Sequence, residues 1–227
     1  MHPIVLKKVN GEAFHVHYPG INAHDMNNTS TRNLLPIQNN YEFDVAVKAL
    51  LADKLVLLPT DTVWSLACLP EADQSITQMS LLKRNEQAEN FEVLFESIAQ
   101  LKSFVPSLPP KLETLLSFHR RPLTLLLDGA QFLPAKIYDA QQRVAVRIVQ
   151  DPICSSLIKV LRQPLISAIA ATKTDALPTH LGVVRSDFLQ GVDYVLKLEE
   201  QFQVHHEEGL SVKVRMDEYG ELDFIRE

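Results

Sequence analysis

Glycine is scarce in this chain, with 7 in 227 residues. Neither GxGxxG nor GxxxxGK[ST] occurs, so a glycine-rich phosphate loop is excluded. Any nucleotide site must therefore use basic and hydroxyl side chains. GxSxG and HExxH are also absent, which removes the nucleophile elbow and the zinc-protease helix. Cysteine is limited to Cys68 and Cys154, far apart in sequence. That pair fits free thiols in a reducing compartment better than a disulfide scaffold. No apolar stretch approaches the ~20 residues of a membrane helix. Positive charge is not in excess: Lys and Arg total 22, Asp and Glu 28, for a net charge of −6. A uniformly basic nucleic-acid binder is thus disfavoured, while a local basic patch stays open. At the N-terminus, His2, Lys7, Lys8 and Asn10 interrupt any signal-peptide core. A cytoplasmic protein without membrane contact is expected. Oligomeric state is not legible.

What the chain does have is Leu55 to Cys68, LVLLPTDTVWSLAC. Leu55 to Leu58 is a short apolar run closed by Pro59, the pattern of a buried strand. Thr60, Asp61 and Thr62 follow at once. Hydroxyls donate or accept, and a carboxylate accepts or binds metal, so the trio suits a ligand at a strand end. A plain turn with Asp61 capping the next segment fits equally well.

Around this stretch, strands and helices alternate. Residues 1 to about 40 form an extension, with a short strand at Ile4 to Lys8 and an Asn-, Thr- and His-rich segment at Asn22 to Asn40. A helix is expected at Tyr41 to Asp53, on the spacing of Phe43, Ala46, Val47, Leu50 and Leu51. Glu71 to Lys83 reads as a further helix on the stripe of Ile76, Met79 and Leu82, and Ser97 to Phe104, Pro109 to Phe118 and Pro152 to Arg162 read as helices started by a Ser cap or by proline. Strands are expected at Phe91 to Phe95, Pro122 to Leu127, Arg143 to Val149 (with one polar face), Pro164 to Ala170, Val192 to Leu198 and Leu210 to Met216. A terminal hairpin turns at Tyr219-Gly220 into Leu222 to Ile225. Alternation of this kind predicts an α/β sheet with helices packed on it, here one domain over 41–227.

Basic residues fall at the ends of these elements: Lys83, Arg84, Arg120, Arg121, Arg143, Arg147 and Lys173. If the ends converge they make a cleft for a triphosphate or an RNA backbone. Taken singly they are solvated faces, or dipole partners at a helix end. Cys68 has apolar neighbours and no base to make a thiolate, so it is read as core. His15, His17 and His24 have no Cys or carboxylate cluster nearby and are read as surface groups; His205, His206, Glu207 and Glu208 have the residue types of a metal cluster and are read as an exposed loop between strands.

Five segments resemble, in order and spacing, the YrdC-like family. These are Pro59 to Cys68, Leu82-Lys83, Arg121 to Thr124, Val144 to Ile148 with Pro164 to Ser167, and Leu210 to Val214 with the hairpin ending at Arg226. The resemblance implies a twisted mixed sheet flanked by helices around a concave, positively charged cavity. It also implies an activity resembling that of the L-threonylcarbamoyladenylate synthases, which combine threonine, bicarbonate and ATP, release pyrophosphate, and supply the group for a tRNA adenosine modification. Other members are described as double-stranded RNA binders. By that resemblance Thr60, Asp61 and Thr62 hold threonine. Lys83, Arg84, Arg147, Ser167 and Ser211 hold ATP, with Mg²⁺ bridging its phosphates. The chain departs from the family pattern at several points. Lys83 and Arg84 are adjacent, with Asn85 where an arginine belongs, and Glu89 replaces a lysine. Ile169-Ala170-Ala171 replaces Ser-Ala-Asn, and Trp64-Ser65 replaces aromatic-Gly. Val212 stands where a threonine is expected. These departures keep a second reading in view: a catalytically inactive relative that binds nucleotide or RNA.

Overall fold

The computed structural model describes residues 6–7, 15–16, 41–84, 91–197 and 209–226. The chain divides into a unit of residues 1–36 and one of 37–227. In the first, β1 (Leu6–Lys7) pairs antiparallel with β2 (His15–Val16). Asn22 to Asn40, Asn85, Glu89 and His205 to Glu208 lie outside the described residues.

The second unit opens with α1 (Tyr41–Leu51), which buries Phe43, Ala46, Val47 and Leu50 along one stripe. Glu42 and Asp44 in its first turn and Lys48 in its last suit the helix dipole. Then come β3 (Val56–Leu58), β4 (Ser65–Cys68), α2 (Asp73–Leu82) and β5 (Phe91–Phe95). The next helix, α3 (Ile98–Phe104), is capped by Ser97, whose hydroxyl accepts the Gln100 N–H at 3.1 Å. Pro110 starts α4 (Pro110–Phe118), where its missing N–H costs nothing. Beyond lie β6 (Leu123–Leu127), β7 (Val144–Ile148), α5 (Pro152–Leu161), β8 (Leu165–Ile169), α6 (Ser186–Gln190), β9 (Tyr194–Val195), β10 (Val212–Met216) and β11 (Leu222–Arg226).

Nine strands form one sheet in the order β11-β10-β6-β7-β5-β8-β4-β3-β9. It is mixed: β10–β6, β7–β5 and β3–β9 are parallel, and the other neighbours run antiparallel. Helices flank it, as expected, with α1 against α5 and the β3 and β9 strands. The central strands are buried on both faces, which is why they read as nearly continuous apolar runs.

The expectation of one polar face on the Arg143 to Val149 strand is corrected. β7 lies in mid-sheet between β6 and β5, so Val144, Ala145, Val146 and Arg147 are all buried. Arg143 precedes the strand, and its Nε donates to Asp139 at 2.9 Å. The predicted Val192 to Leu198 strand shrinks to Tyr194–Val195. β4, α6 and two short 3₁₀ turns, Ala135–Ile137 and Leu181–Val183, were not expected. Glycine scarcity leaves a mark on the backbone: Asp53, Arg84, Phe132, Gln142 and Arg162 adopt the left-handed conformation that glycine usually fills. No helix of the described residues is long and apolar enough to cross a membrane.

Candidate functional site

Most central strands carry a single polar residue in an apolar run: Glu92 in β5, Thr124 in β6, Arg147 in β7 and Ser167 in β8. Register brings these residues together. Arg226 of β11 lies opposite Lys213 of β10, Lys213 opposite Thr124, and Thr124 opposite Arg147. Beyond β7, Glu92 lies opposite Ser167. The result is a polar row across the sheet, and it floors a cavity. Thr62, Ser65, Lys83, Glu92, Arg147, Ser167, Ser211, Lys213 and Arg226 line that cavity, with Ala168, Ile169 and Leu210. Four cations, Lys83, Arg147, Lys213 and Arg226, therefore face one carboxylate, Glu92.

Hydrogen bonds link Arg147, Glu92, Thr124, Ser211 and Arg226. Arg147 Nε donates to Glu92 Oε2 at 3.1 Å, and Thr124 Oγ1 donates to Glu92 Oε1 at 2.9 Å. Thr124 and Ser211 share a hydroxyl contact of 2.6 Å, and the Arg226 guanidinium donates to Ser211 Oγ at 3.0 Å and to its carbonyl at 2.8 Å. Arg147 NH1 also donates to Asp61 Oδ1 from behind the cavity. The second Asp61 oxygen accepts the Gln150 N–H at 3.1 Å. Burial pushes the Glu92 carboxyl up, against the opposing pull of Thr124, Arg226 and Lys213. Burial also lowers the Arg147 guanidinium to about 10, which leaves it charged at neutral pH.

The loop between β3 and β4 explains the Thr-Asp-Thr trio. Thr60 Oγ1 donates to the Val63 carbonyl at 2.8 Å and accepts the Thr62 and Val63 N–H groups at 3.2 and 3.3 Å. Thr60 thus holds the turn itself and Asp61 anchors Arg147, while only Thr62 lines the cavity. Ser65 also lines it, while Trp64 is packed in the core. Lys83, 4% exposed, donates its ammonium to the Ile169 carbonyl at 3.2 Å and to that of Ala171. Lys83 is thus held by backbone carbonyls of the segment that ends β8.

Of the residues singled out from the sequence, Thr62, Lys83, Arg147, Ser167 and Ser211 meet in the cavity. Arg84 does not: it is exposed, in a left-handed turn that stops α2. Arg120, Arg121, Arg143 and Lys173 are not among the lining residues either. Sequence reasoning passed over Glu92, Thr124, Lys213 and Arg226 as site residues. For Glu92 and Thr124 the available signal was a lone polar residue inside an apolar strand; Lys213 and Arg226 share their strands with Arg215 and Asp223 and carried no such signal. Cys68 and Cys154 are both buried, and burial raises the Cys68 thiol to about 12. Neither is a nucleophile.

Residues 48–210 match the family model for Sua5, YciO and YrdC proteins, described as telomere recombination. The chain belongs to the Sua5/YciO/YrdC family. Its curated relatives include a threonylcarbamoyl-AMP synthase of Pseudoalteromonas atlantica, 25% identical over 136 residues, which span 59% of this chain and 73% of that protein. The crystal structure of P. abyssi Sua5 complexed with L-threonine superposes with a TM-score of 0.71 at 22% identity, over 81% of this chain. This chain spans about half of that protein, 53%. E. coli YciO superposes with a TM-score of 0.71 at 15% identity, over 83% of this chain and 91% of its own. At these identities the structures establish the family fold. Ser211, Lys213 and Arg226 lie just beyond the stretch matched by the family model.

Proposed function

We propose that this protein binds ATP in the cleft over the polar row and forms threonylcarbamoyladenylate from L-threonine, bicarbonate and ATP. The observation that carries the reading is the convergence of Lys83, Arg147, Lys213 and Arg226 with the Ser167 and Ser211 hydroxyls on one sheet face. Such an arrangement suits a polyphosphate. In the reaction the threonine amine and bicarbonate give a carbamate and water. A carbamate oxygen then forms a bond to the α-phosphorus as the bridging P–O bond breaks, and pyrophosphate leaves with the electron pair. The step needs charge neutralisation and alignment more than a protein nucleophile. Neither buried thiol is suited to act as one. Thr62, which lines the cavity, is the member of the Thr-Asp-Thr trio that this reading assigns to threonine. Mg²⁺ would bridge the phosphates. Among the described residues no cluster of three or more His, Cys, Asp or Glu side chains could hold an ion.

A second reading is a nucleotide- or RNA-binding module without catalysis. It is favoured by Ile169, Ala170 and Ala171, which offer no polar side chain beside Lys83. Incubation with ATP, Mg²⁺, bicarbonate and threonine, followed by chromatography for the adenylate and pyrophosphate, separates the two. Threonine-dependent product that is lost in Lys83→Ala supports the synthase. Absence of product from folded protein, beside an active family member, rejects it in favour of the binding module.

A further inference from the structure

Glu92 is the one acidic residue among the cavity-lining side chains, and its position is unusual for a cleft that is to receive phosphate. Its side chain is 22% exposed and both oxygens are engaged, one by Thr124 and the other by Arg147. Arg147 does not need it for neutrality, because Asp61 already pairs with that guanidinium from behind the cavity. Glu92 therefore adds a second negative charge on the side where a ligand enters. The space left between the lining groups is also small, about 70 Å³, whereas small-molecule pockets run to roughly 300–1,000 Å³. A nucleotide has room only if a lining group moves.

We propose that the Glu92 carboxylate is a built-in counter-anion that takes the place of a ligand phosphate against Arg147, so that polyphosphate binds only as Glu92 is displaced. This inference rests on the reading of the cleft as a nucleotide site. Displacement is eased because burial already disfavours ionised Glu92 and because Arg147 keeps Asp61 as a partner when Glu92 leaves. The residue then sets affinity and selects by charge: the more anionic the ligand, the more removal of Glu92 favours it. Because Asp61 remains, neutralising Glu92 leaves no orphaned cation at Arg147.

The test is calorimetric titration of the full chain with sodium pyrophosphate and with adenosine, for wild type, Glu92→Gln, Glu92→Thr and Lys83→Ala. Glu92→Thr keeps a strand-forming residue in case the amide disturbs folding, and thermal melts confirm that each variant is folded. Glu92→Gln and Glu92→Thr are expected to bind pyrophosphate about tenfold tighter than wild type, through removal of one repulsive charge. Adenosine affinity should not change. Unchanged or weaker pyrophosphate binding in both Glu92 variants, with weakening in Lys83→Ala, would overturn the counter-anion while leaving the nucleotide site in place. If neither wild type nor any variant binds pyrophosphate, the nucleotide reading itself falls and takes this inference with it.

Discussion

Arg147 and Arg185 each hold two carboxylates, one at the floor of the cleft and the other in the loop leading into α6. Arg147, 1% exposed, bridges Asp61 and Glu92. Arg185, with 31% of its side chain exposed, bridges Asp175 and Asp187. The charges match, but the consequences are opposite. In the loop, hydrogen bonding wins: the Thr172 N–H and hydroxyl, with Arg185, bring Asp175 down to about 2. Arg185 likewise lowers Asp187, and Asp187 with Asp175 raises Arg185. In the cleft, burial wins: Glu92 is pushed up and Arg147 down. Solvent lets the loop cluster settle into mutual stabilisation. The cleft cluster keeps its charges paired in surroundings that disfavour their ionised forms.

The largest effect expected from this contrast is on folding. Arg147→Ala leaves Asp61 buried without its cation and should lower the unfolding free energy by about 3–5 kcal/mol in urea melts. Arg185→Ala should fall within the range of ordinary surface substitutions in the same melts. An equally costly Arg185→Ala would dissolve the comparison.

Titration sharpens it next. Asp151 caps α5 through Oδ1, which accepts the Cys154 N–H at 2.7 Å, while its Oδ2 is buried without a partner. Burial raises this carboxyl from 3.8 to about 6. A raised acid pKa means that the folded state binds the proton more tightly. The group therefore favours folding most below pH 4, and the advantage is lost as pH rises to about 6. Relative to wild type, Asp151→Asn should gain about 3 kcal/mol between pH 4 and pH 7, because the amide keeps the cap without the charge. Asp175→Asn should differ from wild type in the opposite sense, since the lowered Asp175 stabilises above about pH 4 and loses that contribution towards pH 2. Parallel pH profiles for the two variants would contradict the contrast.

A smaller change is expected in binding. Lys83→Ala should weaken ATP by about 1–3 kcal/mol, the size of a lost charge-assisted contact, in calorimetry. Smallest of all, Arg162→Gly at the left-handed end of α5 should raise stability by about 0.5–1 kcal/mol in the urea melts, through relief of the side-chain penalty at φ 56°.

Much of the fold was legible because the central strands are short, mostly apolar runs, as at Leu55 to Leu58, which Pro59 closes, and Phe91 to Phe95, which the Ser97 helix cap follows. β4 was not, because Ser65 to Cys68 is four residues buried on both faces and shows no alternation. The site was half legible. Arg147 and Ser167 stood out through the family resemblance, and Lys83 through its place at a helix end. Glu92 and Thr124 each sit alone in an apolar strand and Lys213 shares β10 with Arg215; the meaning of all three lies in cross-strand register, which local pattern does not carry. Thr60 and Asp61 read as ligand groups because their real partners, Val63 and Arg147, depend on the turn and on a strand 86 residues away.

The central claim, that the polar row is an anion site guarded by Glu92, is tested most directly by a crystal structure of the protein with ATP. The account predicts phosphate oxygens on Arg147, Lys213 and Arg226, with Glu92 swung away from Arg147. A nucleotide bound elsewhere, or phosphates in the cleft while Glu92 still holds Arg147, would contradict it.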